Sequence, residues 1–356
     1  TWIRTGSINE DDSNNGISHF LEHLFFKGTE LHPTGEFDKI LESKGAITNA
    51  ATSKDFTHYY ITVPSNYFEK ALELHADMLL HPQIPRKEME KERKVVLEEI
   101  AKDANLPTKI CYENLVEMLY TMHPYKRKVI GTAKNIETVT RETILDYYKK
   151  YYSPSNMITI VVGDVDPDKA LECVKQYFDS PVQKTVQNSN KKEKLLTSQK
   201  RNISYQQTQS GYMMIGFRSV DVDSSDVYAL DVLSTILGGG KYSRLYQVIK
   251  EQKQLVNSIS ASNSTMKEDG IFLINTSFQP NNVQKAENAI FSEIDKIKMF
   301  GISESDIKIA KKRIETDTYY SRESISNIAQ ELGYVITLTG STDFYNNYLD
   351  KIKNPP

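Results

Sequence analysis

The chain has 356 residues, of which 39% are apolar and 26% charged, with a formal net charge of −3 at pH 7. This composition suits a globular protein of two ordinary domains and offers no electrostatic footprint for nucleic acid. No apolar run is long enough to span a bilayer, and the cysteines, Cys111 and Cys173, make no disulfide framework.

Thr1-Trp2-Ile3-Arg4 reads like the middle of a strand. The start is therefore expected to be truncated, with any signal peptide lying upstream; the expected compartment is cytoplasmic. After a polar loop, Ser18 to Gly28 has helical spacing and stops at a glycine. Within it, His19-Phe20-Leu21-Glu22-His23 reads H-x-x-E-H, the inverted zincin pattern. On a helix, His19 and His23 lie one turn apart and Glu22 shares their face. Two imidazoles and a carboxylate on one patch suit zinc, with Glu22 free to handle a water's proton.

Zinc needs a third protein ligand. A hairpin over 46–63 and a helix over 65–80 come next, followed by a strong helix pattern over 86–104 opened by Pro85. Lys91, Lys94, Glu98 and Lys102 fall on one stripe of that helix, a laced face that belongs in solvent. Glu92, Val95, Val96 and Glu99 fall on another, so two carboxylates ride with apolar residues that must turn inward. A carboxylate on a buried face needs a charge partner, which is either a metal or a Lys or Arg. Beside the His-x-x-Glu-His helix the metal is the favoured partner. That makes Glu99 the ligand candidate and Glu92 a supporting group two turns earlier.

Met157 to Val162 is expected as a strand ending at Gly163, then an amphipathic helix over 166–178. The polar stretch 181–202 divides a domain over 1–180 from a second over 203–356. The two sides echo each other. Tyr212–Phe217, an acidic loop, a helix from about 224 and Gly238-Gly239-Gly240 repeat the strand, loop, helix and glycine of residues 1–28. A hairpin (256–279) and a helix (281–299) again follow. The expected fold is α+β, a duplicated mixed unit with antiparallel strands flanked by helices. Ala229, Val232 and Leu233 stand where the first copy has His19, Glu22 and His23, so the second copy carries no metal. The triple glycine lacks a phosphate-binding pattern and reads as a connection between helices.

Several segments together resemble the pitrilysin/insulinase family of metallopeptidases, in its short processing-peptidase-like branch. They are Gly16–His23, Phe26–Thr29, Gly45–Ala50, Thr52-Ser53, Thr57–Tyr60 and Glu92–Glu99. The resemblance runs from residue 1 to about 340. It implies zinc bound by His19, His23 and Glu99, Glu22 as general base, and a peptide substrate hydrolysed between two homologous halves. That peptide would add as a strand beside the 46–63 hairpin. Asn49, Ala50 and Ala51 would lie next to it, and Phe26 would line the pocket past the cleavage point; Phe26 also reads as a core aromatic.

The second half departs from the family pattern. Active relatives carry an Arg and a Tyr seven residues apart that grip the substrate carbonyl. Here Lys250 and Asn257 stand in those places, and neither reproduces the guanidinium fork or the phenol's reach. Either Lys250 and Asn257 suffice weakly, or a second, different subunit of the family supplies the missing pair, which is the favoured expectation. The chain is expected to form a homo- or heterodimer. The alternative is a non-catalytic core subunit of an assembly. Lys109 and Glu113 only half match the acidic pair with which processing peptidases recognise arginine.

Overall fold

The computed structural model describes residues 1–179 and 192–354. In chain order its elements are β1 (Trp2–Ile3), α1 (Ile17–Phe25), α2 (Glu36–Glu42), β2 (Ile47–Thr52), β3 (Thr57–Thr62), α3 (Phe68–Leu80), α4 (Arg86–Asp103) and α5 (Pro107–Leu119). There follow α6 (Ala133–Thr138), α7 (Arg141–Tyr151), β4 (Met157–Ile158), α8 (Pro167–Phe178), β5 (Gly211–Ser219) and α9 (Val227–Gly238). The chain closes with β6 (Ser258–Thr265), β7 (Gly270–Phe278), α10 (Val283–Phe300), α11 (Glu304–Ser321), α12 (Ile325–Thr339) and α13 (Asp343–Lys353).

Two compact units form. The first comprises Thr1–Asp103, Tyr120–Lys194 and Ile325–Thr337; the second comprises Ala104–Leu119, Leu195–Ser324 and Leu338–Pro356. The expected linker's first half, 181–191, lies outside the described residues, and 192–202 forms neither helix nor strand.

In the first unit the strands lie in the order β2-β3-β1-β4, all antiparallel, with β2 at one edge. Ile3, Phe20, Leu21, Leu24, Phe25 and Tyr59 are among its fully buried side chains, which seats α1 on the sheet. Helix α12 joins this unit through Gly333, where a Cβ would fall 1.9 Å from Trp2 Nε1, so only glycine admits the indole.

The strand expected over 157–162 is shorter in the structure. Only Met157–Ile158 pairs, because its neighbour β1 is itself two residues long. Thr159–Val162 instead runs along a cavity of about 300 Å³, facing Tyr60–Val63 and α3.

The second unit's sheet runs β5-β7-β6, again antiparallel. Matched to β1-β3-β2, it has the same order, and α9 follows β5 as α1 follows β1. Helix α5 packs on β5, with the Leu115 side chain filling the space that a side chain at Gly216 would need.

Candidate metal centre

Helix α1 is amphipathic at the level of single positions. Ile17, Ser18, Phe20, Leu21, Leu24 and Phe25 are buried, while His19, Glu22 and His23 are half-buried on its other side. Its first turn is held by a residue from the preceding loop. The buried Glu10 carboxylate accepts hydrogen bonds from the backbone N–H of Gly16 (2.8 Å) and of Ser18 (2.9 Å), and from the Asn15 amide (2.7 Å). These are N–H groups that a helix start otherwise leaves unpaired. Burial pushes the Glu10 carboxyl pKa up, and the hydrogen bonds from Gly16, Ser18 and Asn15 pull against it. Gly16 enters the helix at φ +103°, and a Cβ there would meet Ile130 O at 2.7 Å. Both conditions require glycine.

Helix α4 carries the facing carboxylates. Its buried residues are Met89 and Val96, so the inward stripe centres on them. The expected inward face is therefore corrected at one position: Val95 is 46% exposed, because it sits about 100° around the helix from Val96. Lys91, Lys94, Glu98 and Lys102 are all exposed. Glu92 and Glu99 flank the buried stripe; the Glu92 side chain is 13% exposed and that of Glu99 41%. Glu99 thus stands on the rim of the α1–α4 contact, where its carboxylate reaches both histidines.

Glu99 Oε2 lies 3.7 Å from His19 Nε2 and 3.7 Å from His23 Nε2. The three ligand atoms fall within 4.8 Å of one another, and among the described residues no other group of three such side chains could hold a metal. Donors around a tetrahedral zinc ion stand about 3.4 Å apart, given bonds of roughly 2.1 Å. The observed spacing fits that ion with small adjustments. The opposite nitrogen of His23, Nδ1, lies 3.3 Å from Glu92 Oε2, and Glu92 Oε1 is paired with Lys27 Nζ at 2.7 Å. A carboxylate behind one ring nitrogen fixes the tautomer that presents the other to a metal. The donor set and its support therefore both fit zinc.

Glu22 does not join the three. Its Oε2 accepts a hydrogen bond from Thr52 Oγ1 at 2.5 Å, on the inner face of β2. Burial raises the Glu22 pKa from its ordinary value, the Thr52 hydrogen bond and His23 lower it, and Glu99 adds to the rise. A carboxylate of raised pKa is a stronger proton acceptor than an ordinary one.

The remaining sequence-predicted residues fall as follows. Asn49 and Ala51 are exposed on edge strand β2, and Ala50 is half-buried against the core. Phe26 ends α1 and stands 6.2 Å from Phe37 and 6.3 Å from Tyr59, ring centre to ring centre, as a core aromatic would. Lys250 and Asn257 belong to the second unit. Lys250 lies in a π-helical stretch, Tyr246–Gln252, with Nζ 4.8 Å from the centre of the Tyr246 ring. Asn257 is exposed and its N–H donates to Ser277 O. Ala229 is exposed, Val232 buried and Leu233 packed on the second unit's core.

Sequence reasoning missed Glu10, Lys27 and Thr52 as parts of this site. The Thr52-Ser53 match pointed to the right place without a role. Glu10 lies outside the usual capping spacing, so its sequence position carried no signal.

Residues 1–133 match the family model described as "Insulinase (Peptidase family M16)", and residues 138–314 match "Peptidase M16 inactive domain". An uncharacterized zinc protease of Bacillus subtilis, YmxG, is 30% identical over 353 residues, covering 99% of this chain and 85% of the relative. The Helicobacter pylori zinc protease PqqE is 30% identical over 356 residues, covering 98% and 80%. Among solved structures, a protease from Helicobacter pylori superposes with a TM-score of 0.93 at 28% identity, covering 99% of this chain and 86% of that one. A chain of complex III2 from Candida albicans gives 0.83 at 16% identity, covering 99% and 83%, a likeness of fold alone.

Proposed function

Because the chain belongs to the insulinase family of M16 peptidases, we propose that it is a zinc-dependent endopeptidase acting on peptides or unstructured polypeptide segments. The observation that carries the reading is the convergence of His19, His23 and Glu99 from two helices, with Glu92 behind one of the rings. These three residues would hold the metal. Zinc, when bound, supplies the positive charge that makes a water acidic and polarises a scissile carbonyl.

The chain's own residues do the rest. An extended substrate pairs with the free edge of β2, alongside Asn49, Ala50 and Ala51, through main-chain hydrogen bonds that tolerate many sequences. Phe26 borders the pocket beyond the cleavage point. Glu22 accepts one proton from the attacking water as its oxygen bonds to the carbonyl carbon. It then passes that proton to the peptide nitrogen as the C–N bond breaks, and the second water proton, carried by the new carboxyl group, moves to the amine to leave a carboxylate and an ammonium.

Lys250 and Asn257 favour one refinement. A Lys and an Asn are a weak carbonyl grip, so an additional subunit carrying an Arg and a Tyr would complete the machinery in a dimer. A non-catalytic place in an assembly is the second reading, supported by the same two residues and by the fold shared with the complex III2 chain.

Replacing Glu22 tests the mechanism. Glu22→Gln is expected to keep its zinc and lose roughly 10²- to 10⁴-fold in kcat on a peptide substrate. Wild-type turnover in that variant would rule out the assigned base.

A further inference from the structure

We propose that Thr52 is a positioning residue for Glu22, orienting one carboxylate oxygen so that the other receives the water's proton; this rests on the peptidase reading above. Glutamate reaches its site through three rotatable bonds, and a helix does not by itself fix where the carboxylate points. Thr52 supplies the missing constraint. Its Oγ1 donates to Glu22 Oε2 at 2.5 Å. The donor is itself well anchored, because Thr52 pairs with Thr57 where the β2–β3 ladder closes and Ser53 N–H donates to Phe56 O beyond it. A β-branched side chain on a strand has few χ1 choices, so the hydroxyl is held where the carboxylate needs it.

Strand β2 performs two tasks. Thr48, Ala50 and Thr52 are half-buried, while Ile47, Asn49 and Ala51 are exposed. Lying at the sheet's edge, β2 offers its main chain to a substrate strand, while the half-buried face of its side chains holds the base. Thr52 is not one of the three metal-binding residues, and its hydroxyl donates to Glu22 Oε2, so its effect on turnover is expected to pass through Glu22. That separates it from a binding residue: its loss should lower kcat and leave KM and the metal alone.

The experiment compares the zinc-loaded wild type with Thr52→Val, which keeps the shape and loses the donor, and Thr52→Ser, which keeps the donor. Thr52→Val is expected to lose about 10- to 100-fold in kcat, the usual effect of removing a supporting hydrogen bond, with unchanged KM and zinc content. Thr52→Ser should recover most of the rate. Equal losses in both variants, loss of zinc from Thr52→Val, or an undiminished kcat there would each overturn the assignment. Should the wild type cleave no peptide, the peptidase reading fails separately. Crystal structures of the zinc-loaded wild type and Thr52→Val would then decide for Thr52. A Glu22 carboxylate displaced in the variant supports the assignment, and one in its original place overturns it.

Discussion

The Glu92 carboxylate faces two cationic or polarisable partners at once, the Lys27 ammonium at 2.7 Å and the His23 ring at 3.3 Å. Its neighbour about two turns along the helix, Glu99, reaches both histidines from a more open position. Burial therefore sorts the two carboxylates into different jobs. The drier one is neutralised by a lysine and orients a ring, and the wetter one remains available to a metal. Helical phase in the sequence separated both of them from the solvated Glu98, since phase depends only on spacing. It could not see Lys27, which arrives from beyond the end of another helix. Glu92→Gln should weaken zinc binding by about 10- to 100-fold, because a neutral amide replaces the anionic acceptor that holds the imidazole's tautomer. Competition against a chelator of known affinity measures this, and an unchanged zinc affinity would remove Glu92 from the site.

Helix α1 was legible from its apolar spacing and terminal glycine, and α4 from Pro85 and its charge pattern. Their ends and rotations were less so. The first turn of α1 is secured by Glu10 across a loop, an interaction set by tertiary structure rather than by local spacing. Glu10→Gln would turn an amide N–H toward backbone donors that now have an acceptor. Leaving such buried donors unpaired costs about 1–3 kcal/mol. Urea unfolding of the metal-free protein should show a loss of that size, with a midpoint lower than the wild type's. An unchanged midpoint would mean that Glu10 does not anchor the helix. The strand from Met157 was over-read for a related reason. Its composition is strand-like throughout, but a ladder exists only as far as the partner strand extends.

Across the whole molecule, the duplication was visible as a repeated order of elements, and the sheets bear it out in their strand order, β1-β3-β2 and β5-β7-β6. What sequence order alone did not convey is that each unit includes a helix from the other's stretch of chain, α5 in the second and most of α12 in the first. Such exchanges depend on close packing, as at Gly333 against Trp2. The convergence of His19, His23 and Glu99 was the most legible feature because the three lie on two helices whose faces follow from periodicity. Lys250 and Asn257 were legible only as a departure from the Arg and Tyr that the resemblance implies. We expect this protein, purified with any chain that accompanies it, to be a zinc peptidase. Its zinc content and its cleavage of a peptide library, with and without a chelator, test that claim together. About one zinc per chain, and cleavage that stops on chelation and returns with added zinc, are the expected results. A protein without zinc, or cleavage indifferent to the chelator, would contradict it.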